Sequence, residues 1–352
     1  MRFIHMADVH LGAAPDGRAD WSEMRKKEIW ETFRSSIADA AKERVDLLLI
    51  AGDLFHRQPL AEELKEVNYL FSTLENTRVV LMAGNHDYIQ PSSAYLNFPW
   101  SRNVACLFSK ECECVRFPEI GTEVYGFSYY RQEILQPLYD GLRPVKNDCC
   151  HILLAHGGDA DHIPLDKRKL SRSGFDYVAL GHIHKPQVLV PDRILYSGAL
   201  EPIDRGDSGP HGYVMGEYER GRINTRFVPK AKREYITLEV ETTEADTTFS
   251  LRDRLEKSIQ QRGWQHIYRI ILRGKRSPGT HFDTEKLMEF GMVLEVMDQT
   301  VPAFPLEEWK RKYRGQMIGR YIESFEGHER SEVEEKALQY GLEALMMSET
   351  LR

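Results

Sequence analysis

The chain has 352 residues, with 47 Lys and Arg against 54 Asp and Glu and a net charge of -7. That balance excludes a bulk polycation, so any nucleic-acid contact must come from local patches. With 41% hydrophobic and 10% aromatic residues, the chain can bury the core of one large domain and a smaller one.

The first predicted element is a strand, Arg2 to Ala7, ending at Asp8-Val9-His10. No hydrophobic stretch of signal-peptide length opens the sequence. A helix is predicted from Ser22 to about Arg44, with Ile29, Phe33, Ile37 and Ala41 on one face. Val45 to Ala51 is almost wholly apolar, as expected of a strand covered on both faces, and stops at Gly52-Asp53-Leu54-Phe55-His56. Ala61 to Leu74 reads as helix, and Val79 to Ala83 as a strand running into Gly84-Asn85-His86-Asp87, where Gly84 is expected to let the backbone turn sharply. Short strands and turns fill Val104 to Phe127. Ile152 to Ala155 leads into His156-Gly157-Gly158, Tyr177 to Leu180 into Gly181-His182-Ile183-His184, and Ile194 to Tyr196 into Ser197-Gly198-Ala199.

After Pro229 the character changes. Lys230, Lys232 and Arg233 read as a basic linker, followed by strand (Tyr235 to Val240), helix (Ser250 to Gln261), strand (Ile267 to Leu272), short helix (Thr284 to Phe290) and strand (Val293 to Met297). Pro302 and Pro305 close this βαβαβ-like unit, and Leu306 to Met347 reads as charged helix interrupted near Gly327. The expected domains are 1–230, 231–302 and a helical 303–352. No apolar run approaches the roughly 20 residues that span a bilayer. The five cysteines (Cys106, Cys112, Cys114, Cys149 and Cys150) are an odd set whose spacing fits neither a CxxC pair nor a zinc ribbon, and the adjacent Cys149 and Cys150 are poorly placed to bridge each other. The expectation is a reduced, cytoplasmic protein without a membrane segment.

Strand after strand ends in Asp, His, Asn or Gly, and in open α/β sheets ligands bind at the carboxyl ends of strands. Asp8, His10, Asp53, Asn85, His156, His182 and His184 offer carboxylate, imidazole and amide donors without a thiolate, a set that suits manganese, iron or zinc. Seven ligands exceed those of one tetrahedral ion; with one carboxylate shared they divide into two sets. Two ions about 3.5–4 Å apart can bind opposite oxygens of a phosphate and lower the pKa of a bridging water, whose hydroxide attacks phosphorus in line.

In order and spacing, Asp8-x-His10, Gly52-Asp53, Gly84-Asn85-His86-Asp87, His156 and Gly181-His182-x-His184 resemble the signature of the calcineurin-like metallophosphoesterases, over roughly residues 1 to 200. The resemblance implies an α/β fold, the α/β/β/α sandwich of that family, carrying a smaller α+β capping domain and a helical C-terminal tail. It implies one ion on Asp8, His10, Asp53 and His184, and a second on bridging Asp53, Asn85, His156 and His182. His86 would donate to the phosphate or the leaving oxygen, and Asp87 would orient His86.

Gly52 to His56, Arg2 to Gly12, Tyr196 to Glu201 and the second domain are similar to the SbcD-type DNA-repair exonuclease branch and its shorter YhaO-type relatives. That likeness implies DNA as substrate, manganese as the preferred ion, a strand-positioning role for His56, a homodimer, and an SbcC-like coiled-coil ATPase partner bound by the C-terminal segment. Arg25-Lys26-Lys27, Lys167-Arg168-Lys169 with Arg172, and Arg273 with Lys275-Arg276 are candidates to track a phosphate backbone. The expected function is a two-metal DNA phosphodiesterase, an exonuclease with single-strand endonuclease activity open. A small-molecule phosphoesterase (of cyclic nucleotides or phospholipid precursors) and a non-catalytic DNA-binding subunit are the alternatives; the full set of seven ligands with His86 argues against the last.

Overall fold

The computed structural model describes residues 1–17 and 19–350, without side chains for 347–350. Its contacts divide into two compact units, Met1–Tyr235 and Ile236–Arg352.

In the first unit the chain runs β1 (Arg2–Met6), α1 (Ser22–Lys42), β2 (Leu47–Ala51), α2 (Ala61–Ser72), β3 (Arg78–Met82), β4 (Val104–Cys106), β5 (Glu113–Phe117), β6 (Thr122–Gly126) and β7 (Cys150–His156). It continues through α3 (Lys167–Ser171), β8 (Tyr177–Gly181), β9 (Gln187–Val190), β10 (Ile194–Tyr196), β11 (Gly212–Glu219) and β12 (Arg222–Pro229). One six-stranded sheet has the order β12-β11-β1-β2-β3-β4, and the other β5-β6-β7-β8-β10-β9. The inner strands β1 to β4 are parallel, as are β6, β7, β8 and β10, with antiparallel strands at the margins.

Both faces of the central strands are apolar because both are covered. Ile4, Met6, Leu48, Ile50, Val79 and Leu81 pack with Ile29, Phe33 and Ile37 of α1 and with Leu64, Val67 and Phe71 of α2. The alternate residues Phe3, Leu47, Leu49, Val80 and Met82 pack with Val124, Ile152, Leu154, Tyr177 and Ala179 of the facing sheet. Leu153, Ala155, Val178 and Leu180 form the outer face of that sheet with Tyr139, Ile163, Leu170 and Phe175. The result is an α/β/β/α sandwich, as the sequence led us to expect. Each such side chain, fully buried, stabilises the fold by roughly 1.5–3 kcal/mol relative to exposure.

The supposed basic linker is pinned instead. Lys230 Nζ lies 2.5 Å from Asp39 Oδ2, Arg233 lies 2.5 Å from Glu28 Oε1, and Lys232 pairs with Glu31. Because α1 presents a row of carboxylates, this basic segment becomes a strap on the first unit.

The second unit holds β13 (Tyr235–Thr242), α4 (Thr248–Arg262), β14 (Ile267–Arg276), α5 (Thr284–Met288), β15 (Met292–Asp298) and β16 (Val301–Pro302). β14 lies between β13 and β15, and Leu251, Leu255 and Ile259 of α4 close over Tyr268, Ile270 and Leu272. The C-terminal segment is broken twice rather than once, into α6 (Leu306–Lys312), α7 (Met317–Glu323) and α8 (Glu332–Thr350). The extra break falls at Gly315, whose φ of +78° is costly for other residues. It lets Trp309, Ile318, Ile322, Leu338 and Leu342 fold onto one another.

Candidate metal centre

Parallel pairing aligns the carboxyl ends of β1, β2 and β3, and those of β7 and β8 in the facing sheet. The chain then has to turn its polar side chains back over the sheets. Asp8 (φ +49°), His10 (+51°), Asp53 (+48°) and His182 (+92°) all do so in the left-handed region, at a cost of about 1–3 kcal/mol each. Hydrogen bonds hold them there: Asp8 N to Gly52 O at 3.2 Å, His10 N to Asp53 O at 3.0 Å, and His182 N to Asp8 Oδ2 at 2.9 Å. Gly52 has a φ of +84°, and a Cβ on it would collide with the His156 ring. Gly84 is needed for closeness rather than for an unusual turn, since its Cβ would occupy the place of the Asp53 carboxylate.

All seven predicted ligands meet. His156 Nε2 lies 2.9 Å from Asn85 Oδ1 and 3.4 Å from Asp53 Oδ2, and His182 Nδ1 lies 3.2 Å from Asn85 Oδ1. On the other side, His10 Nε2 lies 3.1 Å from His184 Nε2 and 3.8 Å from Asp53 Oδ2. The ligand atoms of Asp8, His10 and His184, and those of Asp8, Asp53 and His156, cluster within 4.8 Å of one another. His156 gives its Nδ1 hydrogen to Ala51 O at 2.8 Å, so the ring, once neutral, turns a lone pair on Nε2 toward two oxygens that also accept. Acceptors facing acceptors fit a cation between them, and the nitrogen–oxygen donor set fits a borderline-hard divalent ion.

The proton affinities agree. Burial pushes Asp8 up to about 6 despite His156 and His184 beside it. Burial also opposes charge on Asp53, but His156, His10 and His86 together hold its carboxyl far below the usual range. Against burial, Asp53 and Asp8 raise His156 to about 9, and Asp207 with Asp8 raises His184 to about 9. Burial drives His10 well down and His182 down to about 4. Without metal, protons on His156 and His184 supply the positive charge that the carboxylates require.

His56 and His86 lie at the mouth, their rings stacked 5.0 Å apart with His10 edge-on to both. His86 N donates to Asp53 Oδ1 at 2.9 Å, and its Nδ1 lies 3.1 Å from His56 O. The expected support from Asp87 is therefore corrected. Buried Asp87 accepts from Gly84 N (2.8 Å), Phe55 N (3.1 Å) and Tyr95 OH (2.7 Å), tying the loops after β2 and β3 together; the His56 carbonyl orients the His86 ring. Three other groups escaped the sequence reading. Tyr95 meets Asp87, Asp159 Oδ2 meets His182 Nε2 at 2.8 Å, and Asp207 Oδ2 meets His184 Nδ1 at 3.0 Å. Asp159, three residues beyond His156, was the one most open to detection.

The basic candidates divide. Arg25 is fully buried, bonded to Glu28 at 2.6 Å and to Glu201 and Pro202 O at 3.0 Å, so it cannot reach a phosphate backbone. Arg276 is nearly as buried and is held by Thr280 O at 2.8 Å and Glu343 at 2.5 Å. Lys169 pairs with Asp140 at 2.7 Å and Arg273 with Glu239 at 3.0 Å. Lys167, Arg168, Arg172 and Lys275 are exposed, and Lys26 is half-buried. All five cysteines are free, and no described helix is long and apolar enough to cross a membrane.

Against known proteins, residues 1–186 match the calcineurin-like phosphoesterase family. The chain is similar to the uncharacterized metallophosphoesterase YhaO of Bacillus subtilis, 28% identical over 297 residues that cover 78% of this chain and 72% of that one. It is also similar to the DNA double-strand break repair protein Mre11 of Methanocaldococcus jannaschii, 33% identical over 219 residues, 59% of this chain and little more than half (58%) of that one. Mre11 of Saccharolobus solfataricus is 24% identical over 302 residues, 78% of this chain and 76% of its own. The family match spans more than half of the chain and contains all seven converging side chains, so this protein belongs to the calcineurin-like phosphoesterases, metal-dependent hydrolases built around a dinuclear centre.

Proposed function

We propose that this chain is a two-metal DNA phosphodiesterase, an exonuclease of DNA repair that also opens single strands. The observation that carries the reading is Asp53, whose Oδ2 lies 3.8 Å from His10 Nε2 on one side and 3.4 Å from His156 Nε2 on the other. One carboxylate thus faces two nests of lone pairs. Asp8, His10, Asp53 and His184 would hold one ion, and Asp53, Asn85, His156 and His182 the other. When bound, such ions supply Lewis-acid activation of a phosphodiester and of water; manganese suits these ligands, as do iron and zinc.

The remaining work falls to the protein. His86, tethered through its backbone N–H to Asp53 and through Nδ1 to His56 O, presents Nε2 to an incoming phosphate and can protonate the leaving oxygen. His56, stacked on it, steers the strand. DNA as the substrate draws support from the Mre11 relatives, and the exposed Lys167, Arg168 and Arg172 suit a phosphate backbone. The same reading includes a homodimer and an SbcC-like coiled-coil ATPase partner in the cytoplasm, with residues 231–302 as the DNA-contacting domain and 303–352 as the partner-binding segment; co-purification with and without 303–352 checks the partner.

The deciding experiment is manganese-dependent digestion of end-labelled single- and double-stranded DNA, with His86→Ala as control. Progressive shortening that depends on His86 supports the reading. Intact DNA alongside fast hydrolysis of a cyclic nucleotide would replace it with a small-molecule phosphoesterase.

A further inference from the structure

His182 and His184 stand two residues apart, yet they are held by opposite ring nitrogens. His182 gives Nε2 to Asp159 Oδ2 at 2.8 Å and turns Nδ1 toward Asn85 Oδ1 at 3.2 Å. His184 gives Nδ1 to the Asp207 carboxylate at 3.0 and 3.2 Å and turns Nε2 toward His10 Nε2 at 3.1 Å. A neutral imidazole that donates from one nitrogen offers its lone pair on the other. The two carboxylates therefore select different metal-facing atoms in side chains that share one turn.

Each carboxylate is itself fixed. Asp159 Oδ1 accepts from the backbone N of Asp161 (2.9 Å) and of His162 (2.8 Å) and from His162 Nδ1 (2.9 Å). The loop is closed by Gly158 N to His162 O at 2.8 Å, and Ile163 N and Ile134 N tie it to the neighbouring segment at 2.7 and 2.9 Å. Although its side chain is 45% exposed, Asp159 has little freedom to leave His182. Asp207 Oδ2 likewise accepts from Ile203 N (3.0 Å) and Asp204 N (3.1 Å). A carboxylate wanted only to cap its loop would not need its second oxygen aimed at a histidine.

We propose that Asp159 and Asp207 are positioning residues that set opposite tautomers of His182 and His184, so that one His-Ile-His turn serves two different ions. The assignment rests on the dinuclear reading above. It predicts the effect of an isosteric change. In Asp159→Asn, the amide oxygen is claimed by the N–H groups of Asp161 and His162, which leaves the amide NH2 facing His182 Nε2. The ring must then accept there and carry its proton on Nδ1, the atom needed for the ion.

The test is long-range proton–nitrogen NMR of the histidine rings in metal-free protein, in mildly alkaline buffer, joined to calorimetric titration with Mn2+. Wild type should show His182 as the Nε2–H form, and Asp159→Asn should show it as Nδ1–H in an otherwise unchanged spectrum. Each of Asp159→Asn and Asp207→Asn should weaken one of two binding steps by about 10–100-fold, and the double variant should weaken both. An unchanged His182 tautomer, or two variants that weaken the same step, would overturn the proposal. Wild type binding fewer than two ions would instead overturn the dinuclear reading, and the tautomer result would then decide the role of Asp159 alone.

Discussion

Two clusters of charged side chains lie buried in the first unit, and they are built on opposite plans. Around Arg25 the charges close on one another: its guanidinium meets Glu28 at 2.6 Å and Glu201 at 3.0 Å, Arg233 adds a second contact to Glu28, and Thr32 donates to Glu201 at 2.6 Å. At the strand ends the charges do not close. Asp8, Asp53 and Asn85 face ring nitrogens of His10, His156, His182 and His184, and among the described residues the ion pairs of Asp8 and Asp53 are with histidine alone. Burying a paired guanidinium needs only its partners, whereas burying carboxylates among imidazole lone pairs needs a cation from outside. The first plan is structural and the second makes a site.

The sharpest way to break this contrast is to remove the carboxylate that both halves of the centre share. Asp53→Ala should lose both ions and turnover together, by more than about 100-fold, as read by calorimetry with Mn2+ and by hydrolysis of a generic phosphodiester. Chelator should lower the unfolding free energy of the wild type but not of the variant, which has no ions left to lose; an equal fall in both would show that the stabilising ions bind elsewhere. His86→Ala sits next in size. It should keep both ions while turnover falls by about 10²–10⁴-fold; a fully active variant would remove His86 from proton transfer.

Arg25→Ala probes the other plan. Leaving Glu201 and Glu28 buried without their guanidinium should cost about 3–5 kcal/mol in denaturant unfolding, with Mn2+ affinity per folded molecule unchanged. A neutral effect on stability would mean that Arg233 compensates for it.

The same contrast explains what was legible in the sequence. The centre could be read because its groups are chemically specific and each follows an apolar run: Ala51 before Gly52-Asp53, Ala83 before Gly84-Asn85, Leu180 before Gly181-His182. The Arg25 cluster was hidden by its neighbours Lys26 and Lys27, which made it look like a solvated patch. The signal was nonetheless there, since Arg25 shares its helical stripe with buried Ile29, Thr32 and Ser36. Asp207 could not be found, because its link to His184 spans 23 residues and depends on how the loop before β11 closes. Asp87 was given the wrong partner for a similar reason: adjacency suggested His86, but Tyr95 and two backbone N–H groups claim both its oxygens. The β11–β12 hairpin went unread because its two-residue turn, Arg220 (φ +51°) and Gly221 (φ +79°), lacks the Asn-Gly or Asp-Gly that usually marks such turns.

His5 supplies the smallest and most selective prediction, because it is buried like the centre but has a hydrogen-bond partner at each ring nitrogen. It lies between the two sheets, with Nδ1 3.0 Å from Tyr177 OH and Nε2 3.2 Å from Leu180 O. Burial drives its pKa from the ordinary 6.5 down to about 3, although the Leu180 carbonyl pulls it upward. A folded-state value below the unfolded one means that the unfolded chain takes up a proton that the native protein refuses. The stability from His5 is therefore fully present above about pH 6.5 and is lost as the pH falls toward 3, at a slope of up to about 1.4 kcal/mol per pH unit. Gln at this position can still donate to Leu180 O and accept from Tyr177, but it cannot titrate. Unfolding free energies in chelator, measured for wild type and His5→Gln, should thus converge or cross as the pH is lowered through this window. Parallel curves would show that the space between the sheets admits a charged His5, and that a buried cation here needs no carboxylate of the kind Asp8 and Asp53 supply at the strand ends.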